Sequence, residues 1–190
     1  MALVHRERVL RAATSSFLAH GYRSSVDHIA RRAGVAKQTV YHHFPSKDEL
    51  FKEVARGLAK RVLVELDCEP SDVRAALVRF ARAYRNRVLG AQGIATFRAL
   101  VPEVPRFRAL ARAMYAGSAG VLVERLAETL RKAMDAGELR RDDPVLAAEL
   151  LLGMLVGQDR IKRLFGVAAD EADADRAERI VECFLRAYTP

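Results

Sequence analysis

The sequence contains no tryptophan and only two cysteines in 190 residues. Cys68 and Cys183 stand far apart without metal-ligand spacing. They read as reduced, packed thiols rather than as a disulfide framework. Long apolar runs are also missing. No stretch free of Asp, Glu, Lys and Arg is longer than that from Ala113 to Val123, far short of a membrane span. The opening residues MALVHRERVLR meet charge by Arg6, which argues against a secretory leader and for a cytoplasmic protein. Enzyme signatures are lacking too: there is no G-x-S-x-G, no G-x-G-x-x-G, no P-loop, no H-E-x-x-H and no cysteine pair. All five histidines lie at or before His43, so the rest of the chain offers no imidazole as ligand or base. His42 and His43 are neighbours on a helix and point to different sides, a poor arrangement for one metal ion. Asp142 and Asp143 read as a helix cap and a solvated charge. The expectation is a protein with no catalytic site, no metal and no cofactor.

What remains is rich in helix formers. Hydrophobic residues make up 51 % and charged residues 29 %, enough for a chain of this length to bury a core without metals or disulfides. Charge is unevenly placed. Residues 1–60 carry 11 Lys/Arg against 5 Asp/Glu, whereas residues 61–190 carry 21 against 19. A basic head on a nearly neutral body suits a polyanion-binding module joined to a separate core, although solubilising surface charge gives the same count.

Alternating strand patterns are absent, and helical periodicity runs throughout. The spacing predicts about nine to ten helices. The first spans 4–20, stopped by Gly21; a second, capped by Ser25, reaches Ala33; a third covers 37–43 before Phe44 and Pro45. Ser46 and Glu49 form a capping box for a long helix to about Leu66. The Glu69-Pro70 pair marks the expected domain boundary. Beyond it, Ser71 is the expected cap of a helix with the stripe Val73, Leu77, Phe80, Tyr84 and Val88. Gly93 and Pro102/Pro105 bracket a short helix, and another spans 106–115. Leu122, Leu126, Leu130 and Met134 line a further helix. Asp143-Pro144 opens one that is apolar nearly all round to Gln158, and the last spans about 173–188.

Residues 24–51 are the most informative. A capped helix, Ala33-Gly34-Val35, a short helix and an aromatic stop have the order of a helix-turn-helix, in which glycine supplies the tight turn. Val35 and Val40 face inward, leaving Lys37, Gln38, Thr39, Tyr41 and His42 for a groove. A cation, a bidentate amide, a hydroxyl with a methyl, a phenol and an imidazole form a nucleic-acid contact inventory.

SSVDHIARRAGVAKQTVYHHFPSKDELF resembles the DNA-binding segment of the TetR (tetracycline-repressor-like) family, and helix 4–20 fits it as well. The resemblance implies an all-α fold: a three-helix head over 1–50, a connecting helix over 46–66, and a ligand-binding, dimer-forming body over 70–190. It places Lys37, Gln38, Thr39, Tyr41 and His42 on the recognition helix, and Ser25 and Lys47 at helix N-termini that approach phosphates. Ala36 stands where the family usually has serine, and Gln38 where glycine is common, which leaves the operator sequence open. FRALVPEVPRFRALARAMY and GELRRDDPVLAAELLLGML are similar to the C-terminal domain of AefR-like members.

In the body, Tyr84, Phe97, Phe107, Met114, Tyr115, Met154 and Gln158 are candidates to line an apolar ligand pocket; plain core packing fits each one individually, and the pocket is what the family resemblance implies. The apolar helix 144–158 and the C-terminal stripe offer Leu151, Met154, Leu155, Ala177, Ile180, Val181, Phe184 and Tyr188 as a four-helix dimer interface. The resulting expectation is a homodimeric regulator on a palindromic double-stranded operator, a repressor released by an unidentified small apolar or amphipathic ligand, with no membrane association. A regulator acting as an activator without such a ligand, and a helical carrier or enzyme with a basic surface, remain the alternatives.

Overall fold

The computed structural model describes residues 2–60, 72–167 and 175–189. Among these residues there are ten α-helices and no strand. The chain divides into two compact units, residues 1–61 with 95–115 and residues 62–94 with 116–190.

The first unit contains α1 (Ala2–His20), α2 (Val26–Ala33), α3 (Lys37–His43) and α4 (Lys47–Lys60). It also holds the later part of α6 (Ala91–Leu100) and all of α7 (Arg108–Tyr115). The helical spacing of Val9, Ala13 and Phe17 puts all three on one buried face of α1. They share a core with Ile29 and Ala30 of α2, Val40 of α3 and Leu50, Phe51 and Val54 of α4. Phe51 packs edge-on against Phe17 and Tyr22, each with ring centres 5.2 Å away, and stacks on Phe107 at 5.3 Å. Such pairs add about 0.5–1.5 kcal/mol each beyond the area they bury. Phe107 and Leu110 complete this core, so a segment expected in the body packs with the head instead.

The second unit contains α5 (Val73–Leu89), α8 (Val121–Asp135), α9 (Pro144–Leu164) and α10 (Arg176–Ala187). Helix α8 packs on α9, α10 on α5, and α5 on α9. The four-residue spacing of Leu122, Leu126, Leu130 and Met134 produces one wholly buried stripe, facing Leu77 and Phe80 of α5 and Leu151 and Leu155 of α9 in a common core. Helix α6 begins at Ala91 rather than after Gly93. Gly93 sits inside it because a Cβ there would lie 2.4 Å from the carbonyl oxygen of Arg87 and 2.6 Å from that of Val88. Gly117 and Gly120 fall in a π-helical turn, Ala116–Gly120, that leads into α8.

Several expectations need correction. The cap of α5 is Asp72, whose carboxylate accepts the Ala75 N–H at 3.0 Å. Ser71, the Glu69-Pro70 boundary, Cys68 and the expected extension of α4 to Leu66 lie outside the described residues. Cys183 is exposed, not packed. Helix α9, capped by Asp143 with Pro144 in its first turn, continues past Gln158 to Leu164 across a non-helical backbone step at Gly157. Arg85 spans that step. It donates to the Leu155 carbonyl at 2.5 Å and pairs with the buried Asp159 carboxylate at 2.8 Å, which Arg176 also meets at 3.0 Å.

The largest correction concerns dimerisation. Leu151, Leu155, Ala177, Val181, Phe184 and Tyr188 all lie in the core of a single chain, and Ile180 packs half-buried against it. Of the expected interface residues only Met154 is exposed, so the others offer little surface to a second copy. The apolar side chains that α9 leaves exposed are Val145, Leu146, Leu150, Met154 and Ile161.

Candidate nucleic-acid interface

Local chemistry sets the geometry of the α2–α3 pair. The Ser25 hydroxyl accepts the His28 N–H at 3.1 Å and fixes the start of α2. At the other end Gly34 is left-handed (φ 63°, ψ 41°). The Gly34 N–H bonds to the Arg31 carbonyl and the Val35 N–H to the Ala30 carbonyl, both at 3.1 Å. The left-handed backbone angle selects glycine; a Cβ there would meet only the end of the flexible Arg8 side chain, which can move aside. Helix α3 starts at Ala36 without a side-chain cap, as its alanine implies. It is anchored by Val40 and by Phe44 just beyond it, both buried. The Ser46 hydroxyl accepts the Glu49 N–H at 3.1 Å, while the Glu49 carboxylate pairs with Lys52.

With α3 anchored on that side, Lys37, Gln38, Tyr41 and His42 are exposed together on the opposite arc, and Thr39 is half-exposed at its edge. The structure thus brings the five expected contact residues onto one short helix. Lys37 is not free: its ammonium meets Asp27 of α2 at 2.8 Å, and that hydrogen bond raises its pKa. Ser25 is exposed at the start of α2. Lys47 is half-buried at the start of α4, with its nitrogen 4.3 Å from the centre of the Tyr22 ring. Burial and the charge of Arg106 lower its pKa.

Sequence reasoning missed the group that surrounds Lys47. The Tyr22 hydroxyl donates a hydrogen bond to Asp48, and Arg106 pairs with the same carboxylate at 3.1 Å while lying 4.3 Å above the Tyr22 ring. Burial, and then the bond to Asp48, pushes the Tyr22 hydroxyl up to about 12. The Tyr22 hydrogen bond and Arg106 hold Asp48 below its ordinary range. Arg106 enters from the 95–115 segment, which nothing in the local pattern of residues 1–60 announces.

The seven pocket candidates are dispersed in the chain. Phe97, Phe107, Met114 and Tyr115 belong to the first unit, and Tyr84, Met154 and Gln158 to the second. Phe107 fills the head core, Met114 packs against it, and Tyr115 is exposed. Phe97 is half-buried on α6. Tyr84 is buried and stacked on Phe80 at 5.6 Å, while Met154 and Gln158 are exposed on α9. Among the described residues, no group of three or more His, Cys, Asp or Glu side chains is placed to hold a metal ion, and no helix is long and apolar enough to cross a membrane.

Comparison with known proteins gives this geometry a context. Residues 9–54 match the sequence model of the tetR family of bacterial regulatory proteins, and residues 75–190 match that of the C-terminal domain of AefR-like transcriptional repressors. An HTH-type transcriptional regulator of Mycobacterium bovis, itself uncharacterized, is 32 % identical over 156 residues, 82 % of this chain and 79 % of its own length. A solved structure assigned to TetR-family regulators, from Mesorhizobium loti MAFF303099, superposes with a TM-score of 0.85 at 28 % identity, covering 100 % of this chain and 99 % of the other. The flavonoid-responsive regulator FrrA superposes with a TM-score of 0.79 at 30 % identity, covering 98 % and 97 %.

Proposed function

The chain belongs to the TetR family of bacterial transcriptional regulators, and from that premise we propose that it is a homodimeric repressor released from a palindromic operator by a small apolar or amphipathic ligand. The family is one of helix-turn-helix DNA-binding regulators rather than enzymes. The observation that carries the reading is the arc of Lys37, Gln38, Tyr41 and His42, exposed on a helix whose other side is fixed by Val40 and Phe44. In this reading Gln38 and Lys37 address base edges, Thr39, Tyr41 and His42 flank them, and Ser25 and Lys47 hold phosphates. The protein acts in the cytoplasm, where its DNA is.

Two copies would present two such helices to successive major grooves. The exposed side chains Leu146, Leu150, Met154 and Ile161 of α9 support a pairing surface there; Met154 belongs to the interface first expected, whose other members are buried or half-buried. Ligand binding in the body would favour a conformation in which the paired heads no longer fit the grooves, a population shift set by the ligand's differential affinity. The flavonoid response of FrrA favours an aromatic, largely apolar ligand class. Residues 95–115 are continuous in the chain with the second unit at both ends yet carry Phe107 and Arg106 into the head, and this supports them as the segment that relays the shift.

Fluorescence anisotropy on DNA upstream of the protein's own gene tests the reading. The expected result is binding that survives competition with scrambled DNA and is reversed by a compound found in a thermal-shift screen of small aromatic molecules. Equal competition by scrambled DNA would overturn it.

A further inference from the structure

Four arginines of the head converge on one open cleft of about 430 Å³: Arg8 and Arg11 from α1 and Arg31 and Arg32 from α2, with Ser15 and Gly34 beside them. Among the described residues none of the four has a carboxylate partner. Arg8 donates to the Gly34 carbonyl at 3.2 Å and Arg32 to the Ser15 hydroxyl at 2.8 Å, so neutral acceptors orient these two guanidiniums without cancelling their charge. Arg11 and Arg31 are exposed, and among the described residues their guanidinium groups have no hydrogen-bond or ion-pair partner. Other head arginines are paired, Arg6 and Arg56 with Glu53 and Arg106 with Asp48, and Arg23, Arg108 and Arg112, which are not, do not line this cleft.

Four like charges gathered in one cleft repel one another, and the missing counter-charge must come from outside the chain. Guanidinium forks match the oxygens of phosphate and of carboxylate in pairs. The cleft is built on Gly34, the turn that leads into α3, three residues before Lys37. Its charges are spread over two helices, which suits the repeated charges of a nucleic-acid backbone more than a single small ion.

We propose that this cleft holds DNA backbone phosphate beyond the base pairs faced by α3, adding affinity without adding sequence information. The inference rests on α3 being the reading helix, and its test separates the two. A phosphate contact acts on every sequence alike, so binding of the intact protein is measured across salt concentrations on a random-sequence duplex and on upstream DNA. The double variant Arg11→Gln/Arg31→Gln removes the two unpartnered charges. Its expected result is a salt slope shallower by roughly 0.9 for each phosphate that is no longer neutralised, with affinity about tenfold weaker on both DNAs. Arg11→Lys/Arg31→Lys should restore most of the slope, which mere structural damage would not allow.

Superimposable slopes for the parent and the Gln variant would overturn the proposal. Inorganic tripolyphosphate supplies the second arm, titrated by calorimetry without DNA. If it binds the parent, fails to bind the Gln variant, and the DNA slopes coincide, the cleft serves a free polyphosphate and the DNA assignment is wrong. Failure of α3 as reader shows separately, as a parent that does not distinguish upstream DNA from random DNA while the slopes still differ.

Discussion

The two units differ in where they gather charge and apolar surface. The head leaves Arg8, Arg11, Arg31 and Arg32 without carboxylates around one cleft, and exposes Lys37, Gln38, Tyr41 and His42 on α3. In the body, Arg74 meets Glu178 and Glu182, Arg82 meets Glu178, and Arg131 meets Glu128 and Asp135. The body also exposes a run of apolar side chains on one helix, α9, with Leu146, Leu150 and Ile161 each nearly half accessible and Met154 at 40 %. A surface with uncompensated cations is completed by a polyanion, and one with uncovered leucines by another apolar surface. The difference supports the proposal that DNA meets the head and a second copy meets the body.

The sharpest way to break that division is to place a charge in the body's apolar face. Leu150→Glu should leave the fold intact, because the side chain is exposed, and convert the protein to a monomer in sedimentation. Loss of the second half-site should weaken operator binding by at least ~100-fold, about 2.7 kcal/mol. A dimeric Leu150→Glu with unchanged operator affinity would move the pairing surface elsewhere.

The next effect concerns the boundary of the comparison, since residues 95–115 fold with the head. Phe107→Ala removes a ring stacked on Phe51 and close to Tyr22. It should cost about 3–5 kcal/mol of stability in chemical denaturation. A loss well under 1 kcal/mol, with an altered ligand response, would restore Phe107 as a pocket residue.

How far these regions were legible in the sequence follows from the range of the interactions. Ser25, Gly34, Val40 and Asp143 act within a few residues of themselves, and their roles as cap, turn, anchor and cap could be read directly. The contact residues of α3 were legible for the same reason, since the position of Val40 dictates which side chains face out. The destination of Phe107 was not legible, because its stripe fits burial against any apolar partner. The stripe on α10 showed the same limit: periodicity established that Ala177, Val181 and Phe184 are buried, but not whether a chain or its copy covers them. The arginine cleft required α1 and the end of α2 to be brought together, and only the excess positive charge of residues 1–60 hinted at it.

Smaller effects sharpen the electrostatic side. Asp27 neutralises Lys37 at the start of the reading helix. Asp27→Asn should therefore tighten binding to any duplex roughly three- to fivefold, a small effect because the pair is exposed. Weaker binding would mean that Asp27 positions Lys37 rather than restraining it.

The smallest effect is a pH dependence. Asp48 is held below its ordinary value of 3.8 by the Tyr22 hydrogen bond and Arg106. A depressed pKa gives stability that is present above the unfolded value and is lost as pH falls through the folded one. The stability gap between the parent and Arg106→Gln should be at most about 1 kcal/mol near neutrality, because the pair is largely exposed. It should close below pH 3.8. A gap unchanged into acid would assign the effect of Arg106 to its stacking on Tyr22.

The most direct test of the head as a sequence reader compares Gln38→Ala with Lys47→Ala on operator and scrambled DNA at several salt concentrations. Gln38→Ala should lose roughly 1–3 kcal/mol per half-site on the operator alone and relax the preference at one base position. Lys47→Ala should weaken both DNAs equally and flatten the salt dependence by about one unit per half-site. Equal losses on both DNAs for Gln38→Ala would contradict the assignment of the exposed face of α3.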